Sequence, residues 1–499
     1  MLENVNLKEQ IEKEAYKKQI APIKGALFSL ESPLKKEKLP VIILFEGWGA
    51  AGKGRAIGEL IKNFDPRWFQ VVSTVPATAE EKKYPILRRH FMELPEASQM
   101  MIFDRSWYME VSTGRLEDEI DDRTNLQRVE EINAFERNLT NNGYLILKFF
   151  LHISAKEQKE RFQKLDSEKD TEWRVTSTDW RRNRQYDKYY QIFDEMLEAT
   201  DTDYAPWHVI SGMDHRLCTL EVLRTVNDEI HKALQKKAEQ EKHPATPSAV
   251  IDPGNFPILE IQKLSDVSLD KALSSQKYQE ELKAEQKRLS HLHNVLYLKK
   301  MPVIIAYEGW DAAGKGGNIR RVSAALDPRG YEVVPIAAPN HEEISRHYLW
   351  RFWKKIPKEG HIAIFDRTWY GRVMVERIEG FCSEGDWHRA YREINEFEKQ
   401  LHNWGAVILK FWLQIDQDEQ LRRFEKRQNT PSKQWKITDE DWRNREKWPL
   451  YEEAVNDMLK YTNTQFAPWH IIESNDKYYA RIKTLKIIND TLQKALKSY

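Results

Sequence analysis

Cysteine is almost absent from this chain: Cys218 and Cys382 are the only two. Two thiols at unmatched places cannot form a disulfide framework, so they are expected to be buried or idle, in a reducing compartment. Long apolar runs are absent as well. Stretches such as Val41–Phe45 are far too short to cross a bilayer, and the N-terminal Met1-Leu-Glu-Asn-Val-Asn-Leu-Lys-Glu-Gln is polar and mixed in charge, unlike a secretory signal. An excess of either charge is the third absence. Lys+Arg and Asp+Glu stand at 78 each, so no global field draws the protein to nucleic acid or to an anionic membrane, and affinity for a polyanion must come from local clustering. These absences lead to the expectation of a cytoplasmic protein without nucleic-acid or membrane partners; a homo-oligomer stays open.

What the sequence has is a repeat. Glu46-Gly-Trp-Gly-Ala-Ala-Gly-Lys-Gly54 returns as Glu308-Gly-Trp-Asp-Ala-Ala-Gly-Lys-Gly316, and Lys53 and Lys315 stand 262 positions apart. The same offset links Asp65 to Asp327, Asp104 to Asp366, Phe135 to Phe397, Trp173 to Trp435 and Pro206 to Pro468. A chain of 499 residues is too long for one ordinary core and suits two domains. Between the copies, Lys236–Ala249 passes from a charged helical tail into Pro, Ser and Thr, a composition that favours an extended connection. The domains are therefore expected at 1–240 and 256–499.

Within each copy, short apolar runs alternate with helical periodicity. Val303–Tyr307, Tyr331–Ile336, His361–Phe365, Ala406–Leu413 and Trp469–Ile472 read as strands, while Ile319, Val322 and Leu326 make a helical stripe, as do Ile57, Leu60 and Phe64. Continuous apolar strands between helices predict an α/β fold, a parallel sheet covered on both faces, built twice. Helical segments are expected ahead of each copy, in Asn6–Leu30 and Ser268–Leu298.

The repeated loop has phosphate chemistry. Gly309, Gly314 and Gly316 let consecutive N–H groups point at phosphate oxygens at a helix start, and Lys315 adds a mobile positive charge. The Ser or Thr that usually follows the Lys and holds Mg2+ is replaced by Gly54 and Gly316, so a metal needs another oxygen ligand. Asp311 in the loop and Asp366 at the end of a strand can supply it, both at the carboxyl edge of a parallel sheet. Asp311 could instead orient the nucleophile or cap a turn. Arg367 could clamp phosphate or complete a structural ion pair.

The copies differ where that chemistry lies. Gly49 faces Asp311, Tyr84 faces Arg346, Glu110 faces Arg372, Glu160 faces Arg422 and Leu165 faces Arg427. Fixed guanidinium groups stabilise the charge that spreads over phosphate oxygens during transfer, so the second copy is expected to be catalytic. The first is expected to be degenerate, with Gly49, Lys53 and Asp104 at its altered site and Lys53 as its remaining phosphate contact. The segment Asp418–Lys436 reads as a basic helix, a break at Pro431 and Trp435-Lys436, a lid that excludes water on closing.

Taken together, Gly309–Gly316, Phe365-Asp-Arg-Thr-Trp-Tyr-Gly-Arg372 with Val375-Glu376, Glu342-Glu343 before Leu349–Phe352, and Ala467-Pro-Trp469 resemble the second polyphosphate kinase family, specifically its two-domain members. The resemblance implies a tandem P-loop kinase-like fold of thymidylate-kinase type with a helical lid. It also implies Mg2+ dependence, with Mn2+ as a substitute, and transfer of the terminal phosphoryl of polyphosphate to AMP to give ADP. In that reading Asp311 and Asp366 organise the metal and the reacting phosphate, Lys315 and Arg367 bind phosphate, and Arg372, Arg422 and nearby lid cations hold the polyphosphate. Aromatic residues near Trp350 or Trp369 are candidates for stacking on the base. Two other readings stay open: an ATP-dependent nucleoside or nucleotide kinase, and a non-enzymatic nucleotide or polyphosphate sensor.

Overall fold

The computed structural model describes residues 1–117, 120–242 and 250–498. It divides into two compact units, one formed by Met1–Thr78, Ile86–Ala245 and Asn340–His347, the other by Ala79–Pro85, Thr246–Pro339 and Tyr348–Tyr499. Much of the connection expected around 236–249, residues 243–249, lies outside the described residues; Lys236 to Lys242 end the helix His215–Lys242.

The first unit holds a parallel sheet of β1 (Val41–Gly47), β2 (Phe69–Ser73), β3 (Met100–Asp104), β4 (Leu145–His152) and β5 (Trp207–Ser211), in the order β2-β3-β1-β4-β5. The second holds β6 (Val303–Gly309), β7 (Tyr331–Pro335), β8 (Ile362–Asp366), β9 (Val407–Gln414) and β10 (Trp469–Glu473), arranged in the same way as β7-β8-β6-β9-β10. The central strands explain their own sequences. Val303 to Tyr307 are buried without a break, as strands of a sheet covered on both faces must be. Helices do the covering: Lys53–Ile61, Asp122–Asn141 and His215–Lys242 pack on the first sheet, and Lys315–Ser323, Glu384–Asn403 and Lys477–Ser498 on the second. Lys13–Ser29 and Ser275–Lys299, inside or beside the segments expected ahead of each copy, pack in turn on His215–Lys242 and Lys477–Ser498.

Register decides what stands at the carboxyl edge. Tyr307 is level with Asp366 across the β6/β8 pair, just as Phe45 is level with Asp104 across β1/β3. The strand that runs into the loop therefore has an aspartate beside it, at the sheet edge where α/β folds bind ligands. Among the described residues no helix is long and apolar enough to cross a membrane.

Candidate active site

In the second unit the chain leaves β6 through Gly309 (φ +151°) and enters the helix Lys315–Ser323 through Gly314 (φ +111°). Both glycines are required. A Cβ on Gly309 would lie 2.7 Å from the Leu413 carbonyl oxygen, and Gly314 sits in left-handed backbone that side chains disfavour. Ala312 (φ +63°) and Arg367 (φ +67°) accept the same left-handed strain without being glycine, a cost of roughly 1–3 kcal/mol each that is tolerated where the surroundings enforce it. Lys315 Nζ reaches back to the Gly309 carbonyl at 2.6 Å. Trp310 anchors the loop from below, donating to Gln414 at 2.9 Å and stacking on Trp448 with ring centroids 3.6 Å apart.

Two buried devices hold the Asp366-Arg367 turn against the loop. Glu308 Oε1 accepts from both the N–H and the hydroxyl of Thr368 at 2.7 Å, and burial raises its carboxyl above the usual range. Deeper, Lys410 Nζ contacts Glu398 at 2.8 Å, the Tyr370 hydroxyl at 2.8 Å and the Thr462 carbonyl at 2.7 Å. Glu398 in turn accepts from Trp369 at 3.0 Å and from Tyr370 at 2.6 Å. Three partners for one ammonium and a filled carboxylate are what a fully buried ion pair needs.

Around the loop opens a cleft of about 560 Å3 lined by Asp311, Lys315, Asp366, Arg367, Arg427 and Trp435, and also by Glu440, Asp441 and Asn444. Asp311 Oδ2 accepts from Asn444 at 3.0 Å and its Oδ1 lies 3.7 Å from Arg367. Burial alone would lower the Arg367 pKa, but Asp311 and Glu308 more than offset it, and the pKa is raised. Among the described residues the Asp366 carboxylate has no hydrogen bond or ion pair, which leaves its oxygens open to a cation. No group of three His, Cys, Asp or Glu side chains among them could hold a metal by itself. Asp311 and Asp366 thus fit a hard divalent ion that completes its shell with phosphate oxygens and water.

A second, smaller cavity of about 230 Å3 shares Ala312, Ala313, Gly314, Gly317 and Arg427 with the cleft. Its charged lining is purely cationic: Arg423, Lys426, Arg427, Lys477 and Arg481. Burial, followed by the neighbouring Arg423 charge, lowers Lys477 to about 8. Arg423 is a brace, donating to the Ala312 and Ala313 carbonyls at 2.9 Å and to Ser474 and Asn475 at 2.5 and 3.0 Å.

The cations expected at the site separate here. Arg427 lines both cavities. Arg422 points elsewhere, 64% exposed and paired with Glu419 at 2.6 Å. Arg372 is packed over the Tyr348 ring and paired with Glu376 at 3.1 Å; in the first copy Glu110, at the position of Arg372, pairs at 3.0 Å with Arg128, which faces Ala390 rather than Glu376. Arg346 belongs to the first unit, paired with Glu96 at 3.2 Å and bonded to the Leu94 carbonyl at 3.0 Å. Neither Arg346, Arg372 nor Arg422 lines the cleft. Trp350 and Trp369 are buried in the core and unavailable to a base, whereas Trp435 lies on the cleft wall and is 75% exposed. The segment expected as a lid, Asp418–Lys436, lies in the helix Gln417–Gln428 and the short turn Pro431–Lys436, and the helix Asp439–Glu446 follows it.

Arg423, Asn444, Glu308 and the Glu398–Lys410 pair did not emerge from the sequence. Arg423 is matched by Arg161, which braces Ala50 and Ala51 in the same way at 3.0 and 3.3 Å, so comparison of the copies for differences passes over it.

The family model for polyphosphate kinase 2 (PPK2) matches residues 10–238 and again 272–499. The polyphosphate:AMP phosphotransferase of Pseudomonas syringae pv. tomato is 42% identical over 496 residues, covering 99% of this chain and 99% of that protein. The protein of the same name from Pseudomonas aeruginosa is 41% identical over 498 residues, 100% of this chain and 99% of its own. A crystal structure of a putative polyphosphate kinase 2 from Pseudomonas aeruginosa PA01 superposes with a TM-score of 0.87 at 40% identity, covering 100% of both chains.

Proposed function

The chain belongs to the polyphosphate kinase 2 family, and from that premise we propose that it transfers the terminal phosphoryl group of inorganic polyphosphate to AMP, giving ADP. The observation that carries this reading is the division of charge around one loop. On one side the cavity with only cationic charges, Arg423 to Arg481, suits a self-repelling phosphate chain; on the other the larger cleft carries Asp311 and Asp366 and has room for a nucleotide.

In this arrangement the polyphosphate end lies at the loop N–H groups, held by Lys315 and Arg367, while Arg427, shared by both cavities, neutralises the join. An AMP phosphate oxygen attacks the terminal phosphorus as the bridging P–O bond to the chain breaks, and the shortened polyphosphate leaves with that electron pair. Charge builds on the oxygens of the moving phosphoryl group, and cations already fixed in place stabilise it with little reorganisation. A divalent ion at Asp311 and Asp366, Mg2+ or Mn2+, would supply further positive charge to those oxygens. Asn444 holds Asp311 in position, and Trp435 offers an exposed ring to the base. The first unit lacks the loop carboxylate at Gly49 and is read as non-catalytic.

The test is product analysis with purified full-length protein, Mg2+, polyphosphate and AMP. ADP formation is expected. Turnover of ATP with a nucleoside and none of polyphosphate with AMP would favour the ATP-dependent kinase instead, and binding without turnover the sensor.

A further inference from the structure

The first unit has its own cleft, about 660 Å3, around the loop Gly49–Gly54. Gly52 (φ +110°) and Ala50 (φ +59°) repeat the turn geometry of the second loop, so N–H groups converge there in the same way. Lys53 is 8% exposed; its ammonium touches only the Gly47 and Trp48 carbonyls, at 3.1 and 3.0 Å, and pairs with no carboxylate among the described residues.

Positive charge in this cleft has been relocated rather than lost. Leu165 stands where the second copy has Arg427, but Arg55 stands where it has Gly317. Arg55, Arg105, Lys164 and Arg174 line the cleft, and among the described residues none has an ion pair. Against them stand Asp104, Glu168 and Asp179, the last already capping the Thr176 N–H at 2.9 Å. Among the described residues the cleft around Asp311 has the opposite balance: the four carboxylates Asp311, Asp366, Glu440 and Asp441 outnumber the cations Lys315, Arg367 and Arg427. A divalent ion would offset that excess of carboxylate when phosphate enters; the cleft around Lys53 has cations to spare. Nor is there room to restore the missing carboxylate cheaply, because a Cβ on Gly49 would lie 3.1 Å from Phe162 Cζ and 3.6 Å from Asp179 Oδ1.

We propose that the cleft around Lys53 is a second, non-catalytic binding site for condensed phosphate, and that it fills without a divalent metal. The choice of condensed phosphate as its ligand rests on the donor proposed above. Fixed cations and loop N–H groups do the work that metal and carboxylates share in the second unit, so this site holds a phosphate chain and leaves it intact.

The test is calorimetric titration of the full-length protein with tripolyphosphate in EDTA, without nucleotide. The reversals Arg55→Glu, Lys164→Glu and Arg174→Glu, all at exposed positions, are combined so that buried Lys53 is left alone, and a thermal melt checks folding. The triple variant is expected to lose one equivalent of bound tripolyphosphate that the wild type retains in EDTA. Unchanged stoichiometry and affinity would overturn the proposal, and so would an equivalent at these residues that appears only when Mg2+ is added. With neither AMP nor metal present, failure here leaves ADP formation at Asp311 untouched, and failure of ADP formation leaves this titration readable.

Discussion

Asn444 donates a 3.0 Å hydrogen bond to Oδ2 of Asp311, joining the helix Asp439–Glu446 to the phosphate loop. The first copy has given up both ends of that contact. Gly49 has no carboxylate to offer, and Arg182, at the position of Asn444, turns to Glu117 at 2.8 Å instead. The pair thus ties that helix to the loop in one unit only.

Removing the link while keeping the carboxylate separates positioning from charge. Asn444→Ala is expected to lower kcat for ADP formation about tenfold, the equivalent of roughly 1.4 kcal/mol for one lost hydrogen bond to a charged group. Asn444→Asp should be worse, because it sets a second negative charge against Asp311. Steady-state kinetics on the two variants checks the order; equal activity of both with wild type would show that the contact is idle.

Two neighbouring lid arginines should behave differently. Arg427→Leu, the first copy's residue at the shared wall of the two cavities, is expected to raise the polyphosphate concentration for half-maximal rate several-fold. Arg422→Glu should leave it nearly unchanged, since Arg422 is exposed and occupied with Glu419. The measurement is the polyphosphate dependence of ADP formation at saturating AMP.

The Lys410–Glu398 pair sets the stability of the turn that presents Asp366. Lys410→Met leaves Glu398 buried without its cation and is expected to cost about 3–5 kcal/mol, read as a shift in urea midpoint. Adding Glu398→Gln to that variant should recover part of the loss by removing the orphaned charge.

Lys53 gives a pH signature. Burial, then the nearby Arg105 charge, lowers its pKa from the ordinary 10.5 to about 8. Between those values the unfolded chain holds the proton and the folded chain does not, so this group adds stability as pH rises through that window. Lys53→Met should remove that rise and be the more stable protein at neutral pH. Urea midpoints for both proteins between pH 7.5 and 10 decide it; parallel curves would contradict the assignment.

Much of this was legible in the sequence because loops and strands announce themselves through glycine spacing and apolar continuity. The five strands read from the second copy lie within two residues of those in the structure at every end, and the Asp366 and Lys315 positions follow from register and from the loop itself. Charge was harder to read. Glu110 facing Arg372 reads as a lost phosphate-holding cation, yet each of the two is taken up by an ion pair of its own, Glu110 with Arg128 and Arg372 with Glu376. Arg346 carries the same charge as Arg427 but is committed to Glu96. Lys410 and Glu398 look like surface residues in a strand and a helix, and only their mutual burial shows otherwise. A side chain's partners are set by tertiary packing, which a comparison of aligned letters does not contain.

The central claim is that phosphoryl transfer belongs to the second unit and depends on the Asp311 carboxylate. It is tested most directly by measuring ADP production from polyphosphate and AMP with full-length Asp311→Asn protein, a change that keeps the side chain's size and removes its charge. A loss of at least a hundredfold, with Lys53→Met keeping most of its activity, is expected. Wild-type rates from Asp311→Asn, or loss of activity in Lys53→Met alone, would contradict it.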